Sequence, residues 1–177
     1  MKRTYVVVLV GMIISMEVVL TRFLSIETPI IRAGFGFLPI AVAAAIFGPV
    51  AGGAIYSLSD IIGVMLVLRA PFHAGFTISA FLTGMVYGLY LYKKPKTVLR
   101  VFLAVLTINL FIDVGLNTYW LSNLYHQAYG AILAQRVIKS AIMIPVQTTV
   151  ICFAWRYLGK FIESSVLPKI GFKLDKA

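Results

Sequence analysis

Six apolar runs follow one another between residues 5 and 158, joined by connections too short to fold by themselves. A helix that crosses a bilayer needs about 20 predominantly apolar residues. The runs at 5–24, 49–68, 76–92, 98–121 and 131–158 meet that demand. The run at 33–47 is shorter and rich in alanine, and Gly48-Pro49 stops it. So tight a break makes it and the next run antiparallel neighbours. With 60% hydrophobic and 12% charged residues, the chain has the composition of an integral membrane protein. The expected fold is a single all-α membrane domain over residues 1–177, a compact bundle of six transmembrane helices.

Met1-Lys2-Arg3 before an apolar run also opens a signal peptide. No small-x-small cleavage site follows within the usual distance and Glu17 interrupts the run, so the first segment is expected to stay as a helix. In it Gly11 and Ser15 form a small-x-x-x-small pair, suited to close packing within the bundle or to docking on another membrane protein. Gly84-x-x-x-Gly88 repeats the pattern in the fourth segment. That segment ends in Tyr87, Tyr90 and Tyr92, as an interfacial aromatic belt does.

The formal charge of +10 invites a nucleic-acid reading, but its placement argues for topology instead. With six spans, one side carries Lys2, Arg3, Lys93, Lys94, Lys96, Arg100, Arg156, Lys160, Lys169, Lys173 and Lys176. The positive-inside rule makes that side cytoplasmic, with both termini on it. Arg22, Arg32, Arg69, Arg136 and Lys139 break the rule by gathering toward the other face. Ionisable groups in a membrane segment cost about 2.5–3.5 kcal/mol each on insertion scales, so they mark function or pair internally.

Arg136, Lys139, Met143 and Gln147, spaced three, four and four apart, share one helical face. Asn109, Asp113 and Asn117 recur every four residues and extend to Trp120; such a stripe belongs inside the bundle. With Arg22, Asp60, Arg69, Phe72 and His73, these residues outline an outward pocket for a small anionic molecule with a flat, hydrogen-bonding part. Asp60 and Asp113 either neutralise neighbouring cations or contact the ligand. Trp120 serves either as an interface anchor or as a stacking surface, and Arg136 and Lys139 either snorkel or bind.

No catalytic or metal constellation accompanies the pocket. There is no phosphate loop, no H-E-x-x-H and no G-x-S-x-G. His73 and His126 stand far apart, and Cys152 is alone. Neither an enzyme nor a bound cofactor is expected.

The blocks RAGFGFLPIAVAAAIFGPVAGG, SDIIG and PFHAGFTISAFLTGMVYGLYLYKK resemble the substrate-binding S components of energy-coupling factor (ECF) vitamin transporters. NTYWLSNLY and RVIKSAIMIPVQ are similar to the folate-specific members. The resemblance implies a bacterial cell-membrane protein that captures folate outside and delivers it by toppling. Its implied partners are a transmembrane coupling protein and two ATPases. Many S components carry alanine-x-x-x-alanine in helix one for contact with the coupling protein; Gly11 and Ser15 stand at the matching place. Chemistry would put the pterin of folate on Trp120 or Phe72 and near Asp60, Asn117 or Gln147. Its carboxylates would meet Arg22, Arg69, Arg136 or Lys139. Two alternatives stay open: an S component for another vitamin such as riboflavin, and a small membrane-embedded enzyme or channel.

Overall fold

The computed structural model describes residues 2–27, 32–66, 72–126, 128–162 and 164. The helices are α1 (Lys2–Arg22), α2 (Phe37–Phe47), α3 (Pro49–Leu66), α4 (Ala74–Leu91), α5 (Val98–Thr107), α6 (Asn117–Tyr125) and α7 (Tyr129–Phe161). A π-helical segment, Ile108–Leu116, joins α5 to α6 and makes them one span. After α1 a short antiparallel ladder pairs Ile26 with Ala33 and Glu27 with Arg32. It replaces the beginning of the second segment, which starts at Phe37 rather than at 33.

Five spans are long and apolar enough to cross a membrane; α2 has 11 residues. At 1.5 Å per residue it measures about 16 Å, roughly half a hydrocarbon core. It is apolar all round because it lies inside the bundle, with Ile40, Ala43 and Ala44 fully buried. Its end reaches the start of α1 and the end of α7, where Ile46 and Phe47 pack with Tyr5, Trp155 and Ile162.

The α2–α3 turn depends on its residues. Gly48 closes α2 at φ 93°, a left-handed value that favours glycine, and its N–H bonds the Ala44 carbonyl at 3.0 Å. Pro49 then begins α3, where its missing N–H costs nothing. Beyond the turn the backbones nearly touch. A Cβ on Gly84 would stand 2.8 Å from the Gly53 Cα, and one on Gly52 would stand 2.8 Å from the Ala44 Cα. The Gly84/Gly88 pair thus seats α4 directly on α3, as small residues do between membrane helices.

Lipid-type surface encircles this core, with Val7, Met12, Met65, Phe111 and Ile138 each more than half exposed. Gly11 and Ser15 lie on that outward surface. Among the described residues nothing stands within 4 Å of a Gly11 Cβ, and the exposed Ser15 hydroxyl bonds back to the Gly11 carbonyl. Close packing within the bundle is therefore not their role. Tyr87 departs from the expected aromatic belt in the other direction: it is 1% exposed and belongs to the core. Its residue stripe faces the neighbouring helices, whereas Tyr90 reaches Thr107 at 3.3 Å.

Candidate functional site

A cavity of about 650 Å³ occupies the end of the bundle where α1 and α3 finish and α4 and α7 begin. That volume is in the range of sites that enclose a small molecule. The bundle builds it from helix ends of opposite direction, so polar side chains from distant parts of the chain meet there. The basic α4–α5 connection lies at the other end, where Lys96 sits over Trp155 at 4.9 Å.

One wall comes from α7 and the π segment. The helical face foreseen for Arg136, Lys139, Met143 and Gln147 lines the cavity in full. Asp113, from the π segment, accepts from Arg136 Nη2 at 3.1 Å and forms a short ion pair with Lys139 Nζ. Asn117 Nδ2 also donates to Asp113, at 3.2 Å. Asp113 thus stands between two cations. The Arg136 side chain is 7% exposed, yet its Nε and Nη1 have no hydrogen-bond partner among the described residues. A buried guanidinium with open donors is an unmet demand for an acceptor.

The opposite wall comes from α1 and α3. Arg22 lies against Gly63, where a Cβ would stand 2.8 Å from its Nε, and its Nη2 is 3.6 Å from Asp60 Oδ1. Thr77 donates to Asp60 Oδ2 at 3.0 Å. Glu17, buried in the apolar face of α1, accepts from Thr21 at 2.7 Å. The sequence suggests a cationic pocket; the folded site matches Arg22, Arg136 and Lys139 with Glu17, Asp60 and Asp113. The charge is separated, however. Two cations and one acid occupy the α7 wall, and two acids and one cation the α1–α3 wall, so the field across the cavity favours an anion near Arg136 and Lys139.

His73 and Phe72 stand at the α4 end of the cavity. His73 caps α4: its Nδ1 accepts from the Gly75 N–H at 3.1 Å. In a neutral ring this bond puts the proton on Nε2. Trp120 is not in the cavity wall. Its indole lies on Gly75, where a Cβ would come within 2.7 Å of Cε2, and stacks at a tilt on His73 with centroids 5.5 Å apart. It supports the histidine from behind. Of the sequence-derived candidates, Arg22, Asp60, Phe72, His73, Asn117, Arg136, Lys139 and Gln147 are brought together. Arg69 lies outside the described residues.

Several cavity residues were not singled out from sequence. Ser59, Ser79 and Thr83 carry no pattern that separates them from packing residues, and Asn109 is legible only through its stripe with Asp113 and Asn117. Among the described residues no cluster of three metal-ligating side chains occurs.

Residues 6–154 match the family model described as "ECF transporter, substrate-specific component". The Folate transporter FolT of Clostridium novyi (strain NT) is 40% identical over 160 residues, which cover 90% of this chain and 93% of that protein. The Folate transporter FolT of Leuconostoc mesenteroides subsp. mesenteroides is 33% identical over 152 residues, 82% of each. A solved structure described as FolT bound with folic acid superposes with a TM-score of 0.82 at 35% identity, over 89% of this chain and 94% of that one.

Proposed function

We propose, from the premise that this chain belongs to the family of ECF transporter substrate-specific components, that it captures folate in the cavity between α1, α3, α4 and α7. Its named relatives are transporters rather than enzymes. The observation that carries the choice of ligand is Arg136: a buried guanidinium with two open donor nitrogens, beside Lys139, in a cavity of small-molecule size. The description of the solved relative as bound with folic acid supports the same ligand.

Helix geometry sets the scale. Along α7, Gln147 lies eight residues beyond Lys139 and eleven beyond Arg136, about 12 and 16 Å at 1.5 Å per residue. A long molecule with a flat head near Gln147 would carry its acidic tail to the two cations. Charge-assisted bonds from Arg136 and Lys139 would hold the carboxylates, and Arg22 would add long-range attraction. His73, its ring fixed by Trp120 and Gly75, would offer Nε2–H at the mouth, with Phe72 as an apolar cover.

The cavity end would face outward, since the lysine-rich α4–α5 connection and both chain ends belong to the other side by the positive-inside rule. The exposed, small-residue surface of α1 at Gly11 and Ser15 would receive the transmembrane coupling protein. ATP hydrolysis by two separate subunits would then drive toppling and release. Equilibrium binding in detergent tests the capture step, with riboflavin and thiamine beside folic acid. One-to-one binding of folic acid without ATPases is expected. Binding of a control vitamin in its place would overturn the ligand, and binding of none of the three would overturn capture.

A further inference from the structure

Asn109 and Gln147 line the inner part of the cavity. Gln147 is the last cavity residue along α7, and Asn109 lies near the start of the π segment. Asn109 Nδ2 donates to the Val105 carbonyl at 2.9 Å and to Gln147 Oε1 at 3.0 Å. The oxygen and nitrogen ends of a side-chain amide are usually interchangeable by rotation. Here they are not.

Val105 presents a backbone carbonyl, which only accepts, so the Asn109 end that faces it is the NH₂. The second Asn109 N–H then requires an oxygen from Gln147, and the Gln147 NH₂ is turned away. The arrangement leaves two open functions. Gln147 Nε2 makes no hydrogen bond among the described residues, and Asn109 Oδ1 is buried without a partner. Asn109 is 1% exposed, so that orphan oxygen is a real energetic demand. A donor and an acceptor on two hydrogen-bonded cavity residues are therefore left unpaired, with a polarity locked by the backbone.

We propose that Asn109 and Gln147 are a specificity pair that reads a lactam edge, a ring carbonyl next to a ring N–H, on the flat head of the ligand. This rests on the proposed capture of folate, whose pterin carries that edge. Gln147 Nε2–H donates to the ring carbonyl oxygen, and Asn109 Oδ1 accepts the ring N–H. A 4-amino pteridine reverses both functions: its exocyclic group donates and its ring nitrogen accepts. To match it, Gln147 would have to rotate and set its NH₂ against that of Asn109, since Asn109 cannot turn without losing Val105.

The test is equilibrium binding of folic acid and of its 4-amino analogue aminopterin to the purified full chain in detergent. The two probes share the same acidic tail. Polar sites reject a ligand with reversed functions strongly, so the wild type should prefer folic acid by about tenfold or more. Gln147→Glu, nearly isosteric, still accepts from Asn109 but replaces the outward donor with an acceptor; it should shrink or invert the preference. Tight binding of folic acid with equal binding of aminopterin overturns the specificity pair alone. An unchanged preference in Gln147→Glu does the same. Absence of folic acid binding to the wild type overturns the capture of folate and the pair together.

Discussion

Asp113 is paired with two buried cations, and its neutralisation is the most informative single change. Asp113→Asn keeps the shape of the side chain and removes its charge. Arg136 and Lys139 then remain in the α7 wall with side chains 7% and 12% exposed and no carboxylate between them. Removing one partner of a buried ion pair costs about 3–5 kcal/mol, because the other charge is left uncompensated. The empty variant should therefore unfold at a clearly lower temperature than the wild type in the same detergent. An anionic ligand tail can take over the missing charge. If it recovers only about 1.4 kcal/mol of that cost, folic acid binds tenfold more tightly than to the wild type. A pterin that lacks the carboxylates should gain nothing. Thermal unfolding with and without folic acid, followed by calorimetric titration with both probes, reads all three quantities. An unaltered melting point of the empty variant would refute the role of Asp113 as internal counter-ion. Weaker binding of folic acid would mean that Asp113 aligns the cations for the ligand instead of competing with it.

Arg136→Ala leaves the Lys139–Asp113 pair in place, so the variant should fold; loss of a charged hydrogen-bonding partner costs about 2 kcal/mol or more, a thirtyfold drop in folic acid affinity by titration. Unchanged affinity would remove Arg136 from the site. Gly84→Leu forces a side chain into the Gly52–Gly53 backbone, and overpacking of about 1–3 kcal/mol or more should lower the thermal midpoint in detergent. A wild-type midpoint would show that α3 and α4 separate freely. Gly11→Trp projects into open space, so folding and folic acid binding should match the wild type, while co-purification with a coupling protein should fall sharply.

Much of the site follows from periodicity. The spacing of Arg136, Lys139, Met143 and Gln147 survives because α7 stays helical across the cavity, and polar groups on an apolar helix point inward for want of any solvent elsewhere. The Asn109, Asp113 and Asn117 stripe was legible for the same reason. Its π-helical backbone was not, since no proline or glycine pair announces a change from four-residue to five-residue hydrogen bonding. The ion pairs escaped in part too. Arg22 meets Asp60 across 38 positions of chain, and only the seating of α1 over Gly63 decides that contact. Trp120 shows the converse limit. Its sequence neighbourhood points it to the ligand, but the bare backbone at Gly75 offers the indole a nearer surface. The outward turn of Gly11 follows from Glu17 and Val18, whose burial fixes which face of α1 looks in.

The contact between Gly84 and Gly53 exists because atoms are absent, which gives it an unusual standing in the history open to this protein. A close fit between two side chains drifts readily: one grows, the other shrinks, and volume is kept. A backbone-to-backbone seat has no smaller residue to retreat to on either side, so no second change compensates a first. The separation of α2, α3 and α4 is thereby frozen, and this half of the cavity has a fixed width. New ligands are reachable through the side chains that project from α7 and the π segment, and not through wider spacing of the helices. The chain has one evolvable wall and one that only tolerates copying.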